Sequence, residues 1–193
     1  MNGFESLPQR EDILRKAEAF DAPLIFKLLR ENLAKNVSAE EKRDDLLHYE
    51  PTDEELETII NDTGVYLSLR GETLKGYFMT MSKELAASIP FEAELLEHAE
   101  EMLFKDKLIK EYDYVILAQI CVAKEFKGGM TFHRLHVATH SMLKEQGFEI
   151  GVGEILDTNS LSLAVHSDLE DAGAYVASSG LKWHVKILDL RKD

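Results

Sequence analysis

Nine residues in a row, Tyr114 to Val122 (YVILAQICV), are apolar apart from one glutamine. The run is far shorter than the roughly 18 residues that would cross a bilayer. It also lacks the polar alternation of a strand with one wet face, so it reads as a central strand covered on both sides. A short loop, Ala123-Lys124-Glu125-Phe126-Lys127-Gly128-Gly129, follows it directly. A helix from Met130 to Gln146 comes next, ended by Gly147. A covered strand that feeds a helix across so short a loop requires a sheet with helices packed against it.

The other elements arrange themselves around this unit. Ile13 to Ala17 reads as a short strand. Asp21 caps a helix with Pro23 in its first turn and Leu24, Ile25, Leu28, Leu29 and Leu33 at helical spacing. Ser38-Ala39-Glu40-Glu41 and Thr52-Asp53-Glu54-Glu55 are capping boxes, the second leading into Leu56, Ile59 and Ile60. Gly64 to Leu69 and Thr73 to Thr80 form a hairpin that turns at Arg70-Gly71-Glu72. Pro90 to Tyr112 reads as helix, with Phe91, Leu95, Met102, Leu103 and Ile109 as its stripe. Phe148 to Leu156 is a strand, Asn159 to about Asp171 a helix, and Trp183 to Leu190 a closing strand. The expected architecture is one α/β (α+β) domain over residues 1–193. Its mixed, central twisted sheet has about six to seven strands with helices on both faces, and residues at about 84–112 form a helical insertion.

Charge narrows the function. Lys and Arg number 22 against 36 Asp and Glu, a formal net charge of −14. Nucleic acid and anionic membranes would both be repelled, so neither is an expected partner. The opening residues MNGFESLPQRED lack the charged-then-apolar layout of a signal peptide. A single cysteine, Cys121, allows no internal disulfide and no cysteine metal cluster, so a cytoplasmic location is expected. Cys121 sits within Ile120-Cys121-Val122-Ala123, which suits a buried inert thiol better than a nucleophile needing a base and exposure.

Two features carry chemistry. The loop before the Met130 helix presents consecutive backbone N–H groups at a helix N-terminus, an anion site, with Lys124 and Lys127 beside Gly128 and Gly129. From the loop alone, a pyrophosphate cradle and an ordinary tight turn both remain open. His133, His136 and His140 lie on one stripe of the helix. Three imidazoles in line could hold Zn²⁺, but they spread over about 10 Å of axis. A polar shoulder beside the core is the preferred reading, and no metal is expected.

The phrase Val122-Ala123-Lys124-Glu125-Phe126-Lys127-Gly128-Gly129-Met130-Thr131-Phe132 resembles the acyl-CoA loop of the GNAT superfamily of N-acetyltransferases. Phe126 stands for the family's aromatic, Lys127 for its Gln/Arg and Gly128 for the glycine that follows. The two signature glycines fall on Met130 and Phe132; in a register one residue shorter, Gly129 takes the first glycine role. Leu74-Lys75-Gly76-Tyr77-Phe78 is similar to the family's third strand. Asp157-Thr158-Asn159-Ser160-Leu161-Ser162-Leu163-Ala164-Val165-His166 is similar to its Asn-opened helix, which bears an aromatic or His seven residues on.

The resemblance implies a GNAT-like fold and acetyl transfer from acetyl-CoA to an amine of a small molecule or peptide by direct attack. It implies that backbone groups near Ile120, Cys121 and Val122 meet the pantetheine arm. Lys127, Gly128, Gly129, Met130, Thr131 and Phe132 would hold the pyrophosphate, with Asn159 beside the cofactor. His166 would protonate the departing thiolate. Glu154, on the strand face shared with Ile150 and Val152, is the candidate base, and Gln119 would orient the acceptor. The net charge leans toward cationic amines such as polyamines, aminoglycosides or basic N-termini. The segment before Tyr112 would cover the acceptor site or form a homodimer contact. The replacements at Met130 and Phe132 favour an alternative, a catalytically weak CoA-binding or regulatory module of the same fold.

Overall fold

The computed structural model describes residues 12–37 and 46–192. The Ser38 capping box and the opening residues lie outside them. Seven strands form one sheet in the order β1-β2-β3-β6-β7-β9-β8. They are β1 (Asp12–Lys16), β2 (Gly64–Arg70), β3 (Thr73–Ser82), β6 (Tyr114–Val122), β7 (Ile150–Leu156), β8 (Glu170–Val176) and β9 (Lys182–Asp189). Every neighbouring pair is antiparallel except β6–β7, which is parallel. The helices are α1 (Ala22–Glu31), α2 (Asp53–Asn61), α3 (Lys83–Ser88), α4 (Pro90–Ala99), α5 (Thr131–Glu145) and α6 (Ser160–Val165). Helices α1 to α4 bury their apolar stripes in the larger core on one face, where Ile25, Leu29, Leu56, Ile59 and Leu95 meet Tyr77, Met79 and Ile116. The long helix α5 covers the other face, where Leu143 packs with Val115 and Leu188. This is the mixed, two-layered sheet expected from the order of elements.

The register of β6 carries an irregularity that sequence alternation does not reveal. Met79 pairs with Gln119 but Thr80 pairs with Leu117, so Ala118 is an extra residue, a β-bulge. The bulge inverts the parity of the strand. Tyr114 and Ile116 face the larger core before it, and Gln119 and Cys121 face the same side after it.

Two helical readings are corrected. The helix from Pro90 stops at Ala99, and a hairpin of β4 (Leu103–Phe104) and β5 (Lys107–Leu108) follows. Lys105 turns the chain with φ 58° and forms an ion pair with Asp189. The turn buries Phe104, whose carbonyl accepts from the Tyr112 hydroxyl at 2.8 Å. The hairpin and the turn after it bury Phe104 and Ile109 and leave Leu103 exposed, an alternation of a strand and not of a helix. The helix from Asn159 likewise ends at Val165, and Glu170–Val176 is an edge strand on β9. Its polar, Gly-containing sequence is that of an edge, with a bulge between Asp171 and Gly173. Asp21 precedes α1 as expected but does not cap it. Its carboxylate holds Arg15 through two bonds of 2.7 and 2.8 Å and accepts from the Glu18 N–H. The Thr52 box forms, Thr52 and Glu55 each accepting from the other's backbone N–H.

Gly76, on β3, lies directly under α5. A Cβ there would stand 2.7 Å from the Cys121 carbonyl oxygen and 3.1 Å from Leu135 Cδ1. Gly76→Ala is therefore expected to destabilise the fold by about 1–3 kcal/mol through overpacking against backbone. Urea unfolding measures this, and a midpoint equal to the parent's would show that α5 can shift away at no cost.

Candidate active site

Strands β6 and β7 pair at only three positions, Tyr114 with Ile150, Val115 with Gly151 and Ile116 with Val152. Beyond them the two strands part. The Ala118 bulge bends β6 at this point, and Leu117 lies across β7. A Cβ on Gly151 would come within 2.9 Å of Leu117 Cδ2, and one on Gly153 within 3.2 Å of the Leu117 carbonyl oxygen. A Cβ at either place would push Leu117 out of its present position. Leu117, Ala118, Ile120 and Val122 are consequently half-exposed although they lie mid-sheet. The Ala123 N–H bonds the Lys75 carbonyl on the β3 side at 2.8 Å. By alternation, the N–H and C=O of Ile120 and Val122 point into the gap, where no strand receives them.

A cavity of about 340 Å³ fills the gap and is lined from both faces of the sheet. On the α5 side its wall is Phe132, His136, Leu161, Val165, His166 and Leu169. On the α4 side it is Tyr49, Phe91, Gln119, Glu154 and Trp183, with Cys121 also lining it. Phe91 brings the segment after β3 onto this wall. The structure thus gathers Gln119, Ile120, Cys121, Val122, Lys127, Gly128, Gly129, Phe132, Glu154, Asn159 and His166 around one space. Met130, 58% exposed, and Thr131, buried, are not on its wall.

The loop makes a single turn of 3-10 helix over Lys124–Phe126. Gly128 then takes φ +74°, which favours glycine. Gly129 has no such demand, and the nearest atom to a Cβ there is the Phe126 carbonyl oxygen at 3.5 Å. Neither glycine is needed to make room for the protein itself, so the space above them is open. No side chain caps α5 and no acid occupies its first turn, so its first backbone N–H groups face outward with the positive end of the helix dipole. Beneath the loop, Asp12 gathers three cations: Arg70 at 2.9 Å, Arg134 at 3.2 Å and the buried Lys75. Lys75 and Arg70 also lie 5.1 and 5.7 Å from the Phe126 ring centroid. The local charge is positive in a strongly negative chain.

His166 closes α6 and is 8% exposed. Its Nδ1 lies 2.9 Å from the Ser162 carbonyl oxygen. A carbonyl only accepts, so Nδ1 carries the hydrogen and Nε2 is the nitrogen that gains or gives a proton. The ring meets Phe132 edge-on at 5.0 Å and lies 6.2 Å from His136. Burial pulls the His166 pKa below the usual imidazole value, against the hydrogen bond to Ser162. Asn159 caps α6, its Oδ1 accepting from the Ser162 N–H at 2.9 Å. Both hydrogen-bonding ends of the Gln119 amide are engaged. Its Oε1 accepts from the Tyr77 hydroxyl at 3.0 Å, and its Nε2 donates to the Tyr49 carbonyl at 2.8 Å. Gln119 thereby ties the Tyr49 segment over the gap.

Glu154 shares a face with Ile150 and Val152 and accepts from the Tyr175 hydroxyl. Burial pushes its carboxyl up to about 7, with the Tyr175 bond opposing. Glu92 of α4 is 2% exposed, and burial, followed by the nearby Glu154 charge, pushes it up to about 8. Sequence reasoning missed Tyr175, Glu92 and Trp183. Tyr175 lies between the helix read to about Asp171 and the closing strand, where no element is expected, and Glu92 is one acid among many on an apparently wet helix. The histidine stripe is divided: His133 is exposed, whereas His136 lies between the rings of Phe78 and Phe132 at 6.1 and 5.9 Å. Among the described residues no three His, Cys, Asp or Glu side chains converge on a point that could hold a metal. No described helix is long and apolar enough to cross a membrane.

No protein-family model and no curated protein matches the sequence. Solved structures do match it in shape. An N-acetyltransferase from Staphylococcus aureus Mu50 is 14% identical with a TM-score of 0.61, covering 93% of this chain and 99% of that one. The PaiA N-acetyltransferase of Thermoplasma acidophilum, in complex with coenzyme A, is 13% identical at TM-score 0.60, covering 93% and 99%. A polyamine N-acetyltransferase from Drosophila melanogaster is 11% identical at TM-score 0.62, covering 93% and 100%. This is the GNAT fold. Within it, the parted strands and the loop before α5 are the features that set the candidate site.

Glu92 and Glu154 give the GNAT-fold site a pH signature. A carboxyl raised in the folded state stabilises most below its unfolded pKa of about 4.3, and that contribution is lost as pH rises through about 8 for Glu92. The melting temperature is expected to fall between pH 5 and 8. Glu92→Gln, which cannot ionise, is expected to flatten that fall, leaving the part due to Glu154 and to general charge repulsion. An unchanged slope in the variant would mean that Glu92 is not the titrating group.

Proposed function

We propose that the protein transfers an acetyl group from acetyl-CoA to an amine. The observation that carries this reading is the gap between β6 and β7, lined from both faces of the sheet beside an uncapped helix N-terminus. The residues present suit the cosubstrate. The outward backbone groups of Ile120 and Val122 match an amide-bearing arm. The open space over Gly128 and Gly129, with Lys124 and Lys127 nearby, matches a pyrophosphate. Acetyl-CoA would thus lie along the α5 and α6 side, and the acceptor would enter from the α4 side.

The chemistry divides between the two sides. Glu154 takes a proton from the acceptor ammonium, a task suited to a carboxyl titrating at about 7. The neutral amine attacks the thioester carbonyl; the new C–N bond forms and the C–S bond breaks. His166, when protonated at Nε2, gives that proton to the departing thiolate, whose unperturbed pKa is about 8.5. Burial makes protonated His166 a minor form at neutral pH, so this help declines as pH rises, while Glu154 becomes competent through about 7. Gln119 acts on the acceptor indirectly, by holding the Tyr49 segment. A lone buried thiol is in keeping with a reducing compartment such as the cytoplasm.

Free-thiol release from acetyl-CoA on adding amines tests the reading. An enzyme liberates CoA, whereas a binding module is only stabilised by it. Gly128→Asp places a carboxylate in the open space over the loop and is expected to weaken CoA binding by about tenfold or more; parental affinity would remove the loop from the site. Glu154→Gln and His166→Phe are each expected to lower kcat by about 10²–10⁴-fold with CoA affinity nearly unchanged. Glu154→Gln should also abolish the rise of kcat/KM through about pH 7. Parental turnover in either variant would take that residue out of the mechanism.

A further inference from the structure

We infer that the α4 side of the cavity is an ammonium-binding corner, so that the acceptor carries a second cationic nitrogen besides the amine that reacts. The inference rests on the acetyl-transfer reading only in placing the reacting amine at Glu154. Three aromatic side chains form the corner. Phe91 and Trp183 stand at 87° to each other with centroids 6.0 Å apart. Tyr49 stacks on Phe91 at 5.5 Å, 11° from parallel. His48 meets Trp183 at 5.6 Å and 87°, and burial lowers its pKa, so it adds no charge that would repel a cation. All four rings line the cavity.

The corner lies at a defined place relative to the carboxylate. Glu154 pairs with Val185, and Leu156 pairs with Trp183. Glu154 and Trp183 are therefore diagonal neighbours on one face of an antiparallel pair, about 7–8 Å apart. That figure separates the two backbones, and a short alkyl diamine is of comparable length, so its two nitrogens can address the two side chains. With one nitrogen at Glu154, its other nitrogen reaches the rings, whose faces attract a cation electrostatically.

Charge supports the same occupant. Glu92, Glu94 and Glu154 cluster on this side, and each raises or neighbours the titration of another. Glu154 accepts from Tyr175 and Glu94 from the Ser178 N–H, yet none of the three is ion-paired to a described residue. The two lysines on the cavity wall lie elsewhere, Lys127 in the loop before α5 and Lys186 on the opposite face of β9, paired with Asp171 at 3.0 Å. Of the three only Glu154 lines the cavity; an ammonium beside it favours its ionised form, whereas a neutral acceptor leaves burial to keep it protonated.

Trp183 is the chain's one tryptophan, so its fluorescence reports directly on the corner. At constant ionic strength, diaminobutane is expected to change Trp183 emission saturably, and butanediol, its neutral counterpart, to have no effect. Phe91→Leu, a half-buried apolar exchange, is expected to weaken the diamine response by about fivefold or more. In turnover, kcat/KM for diaminobutane should exceed that for butylamine by about tenfold, with Phe91→Leu narrowing the ratio through KM rather than kcat. The inference is overturned if butanediol elicits the same emission change, or if the two amines are acetylated equally well. Thiol release with neither amine, together with a saturable diamine response, would instead reject acetyl transfer and keep the corner.

Discussion

The parting of β6 from β7 is the feature on which the rest of the site depends. A seven-stranded sheet would ordinarily close its backbone hydrogen bonds from edge to edge. Here it does so for three residue pairs of the parallel junction and then stops. The cause is local: one surplus residue at Ala118, and a leucine laid over two glycines at 151 and 153. Each strand keeps its bonds on the far side, β6 to β3 and β7 to β9. The sheet therefore stays intact while a strip of β6 backbone faces an open cavity. A cavity through the middle of a sheet joins two chemical environments that helices keep apart elsewhere.

Those environments differ in charge. On the α5 side, Arg70, Lys75 and Arg134 outnumber the single Asp12 that holds them. On the α4 side, burial pushes Glu154 up to about 7 and Glu92 up to about 8, so these carboxyls ionise readily only beside a cation. A net charge of −14 describes the whole surface, but the molecule is sorted around the gap. An anionic cosubstrate and a cationic acceptor would each meet the opposite sign, from opposite faces of one sheet, with the reacting groups meeting where β6 and β7 part.

Much of this was legible in the sequence, and the failures have physical causes. The apolar run at Tyr114–Val122 announced a covered central strand, because nothing polar alternates within it. The glycines at 128 and 129 marked the loop. Glu154 was placed on its correct face because β7 keeps strict alternation from Ile150 to Leu156. The break in alternation at Ala118 was not legible, since a bulge leaves no compositional trace in an apolar run. Tertiary context produced the other errors. Met102, Leu103 and Ile109 read as the end of a helical stripe, but the chain there forms a hairpin that buries Phe104 against Tyr112. Glu170 and Asp171 read as the wet end of a helix and the residues after them as no element; Glu170–Val176 becomes a strand because β9 offers it an edge. Gln119 was legible as the one polar residue in its run, but its engagement with Tyr77 and Tyr49 depends on residues 42 and 70 positions away.

Phe132 joins two departures that look independent in sequence. The acyl-CoA loop has glycine where this chain has Phe132, and the helix after β7 carries His166 where an aromatic is common. In the structure the two side chains touch, Phe132 presenting an edge contact to the His166 ring at 5.0 Å while stacking on His136. A glycine at 132 would leave that wall of the cavity open, and water would reach the imidazole. With the phenyl ring present, His166 is buried and its charged form is disfavoured. Its Nδ1 lies 2.9 Å from the Ser162 carbonyl and 3.2 Å from the Ser162 hydroxyl, which leaves Nε2 as the nitrogen that exchanges a proton. An imidazole in that state holds a proton weakly and releases it readily to a stronger base such as a thiolate. On the acetyl-transfer reading, the bulky residue in the loop is therefore part of what makes a histidine serviceable at position 166.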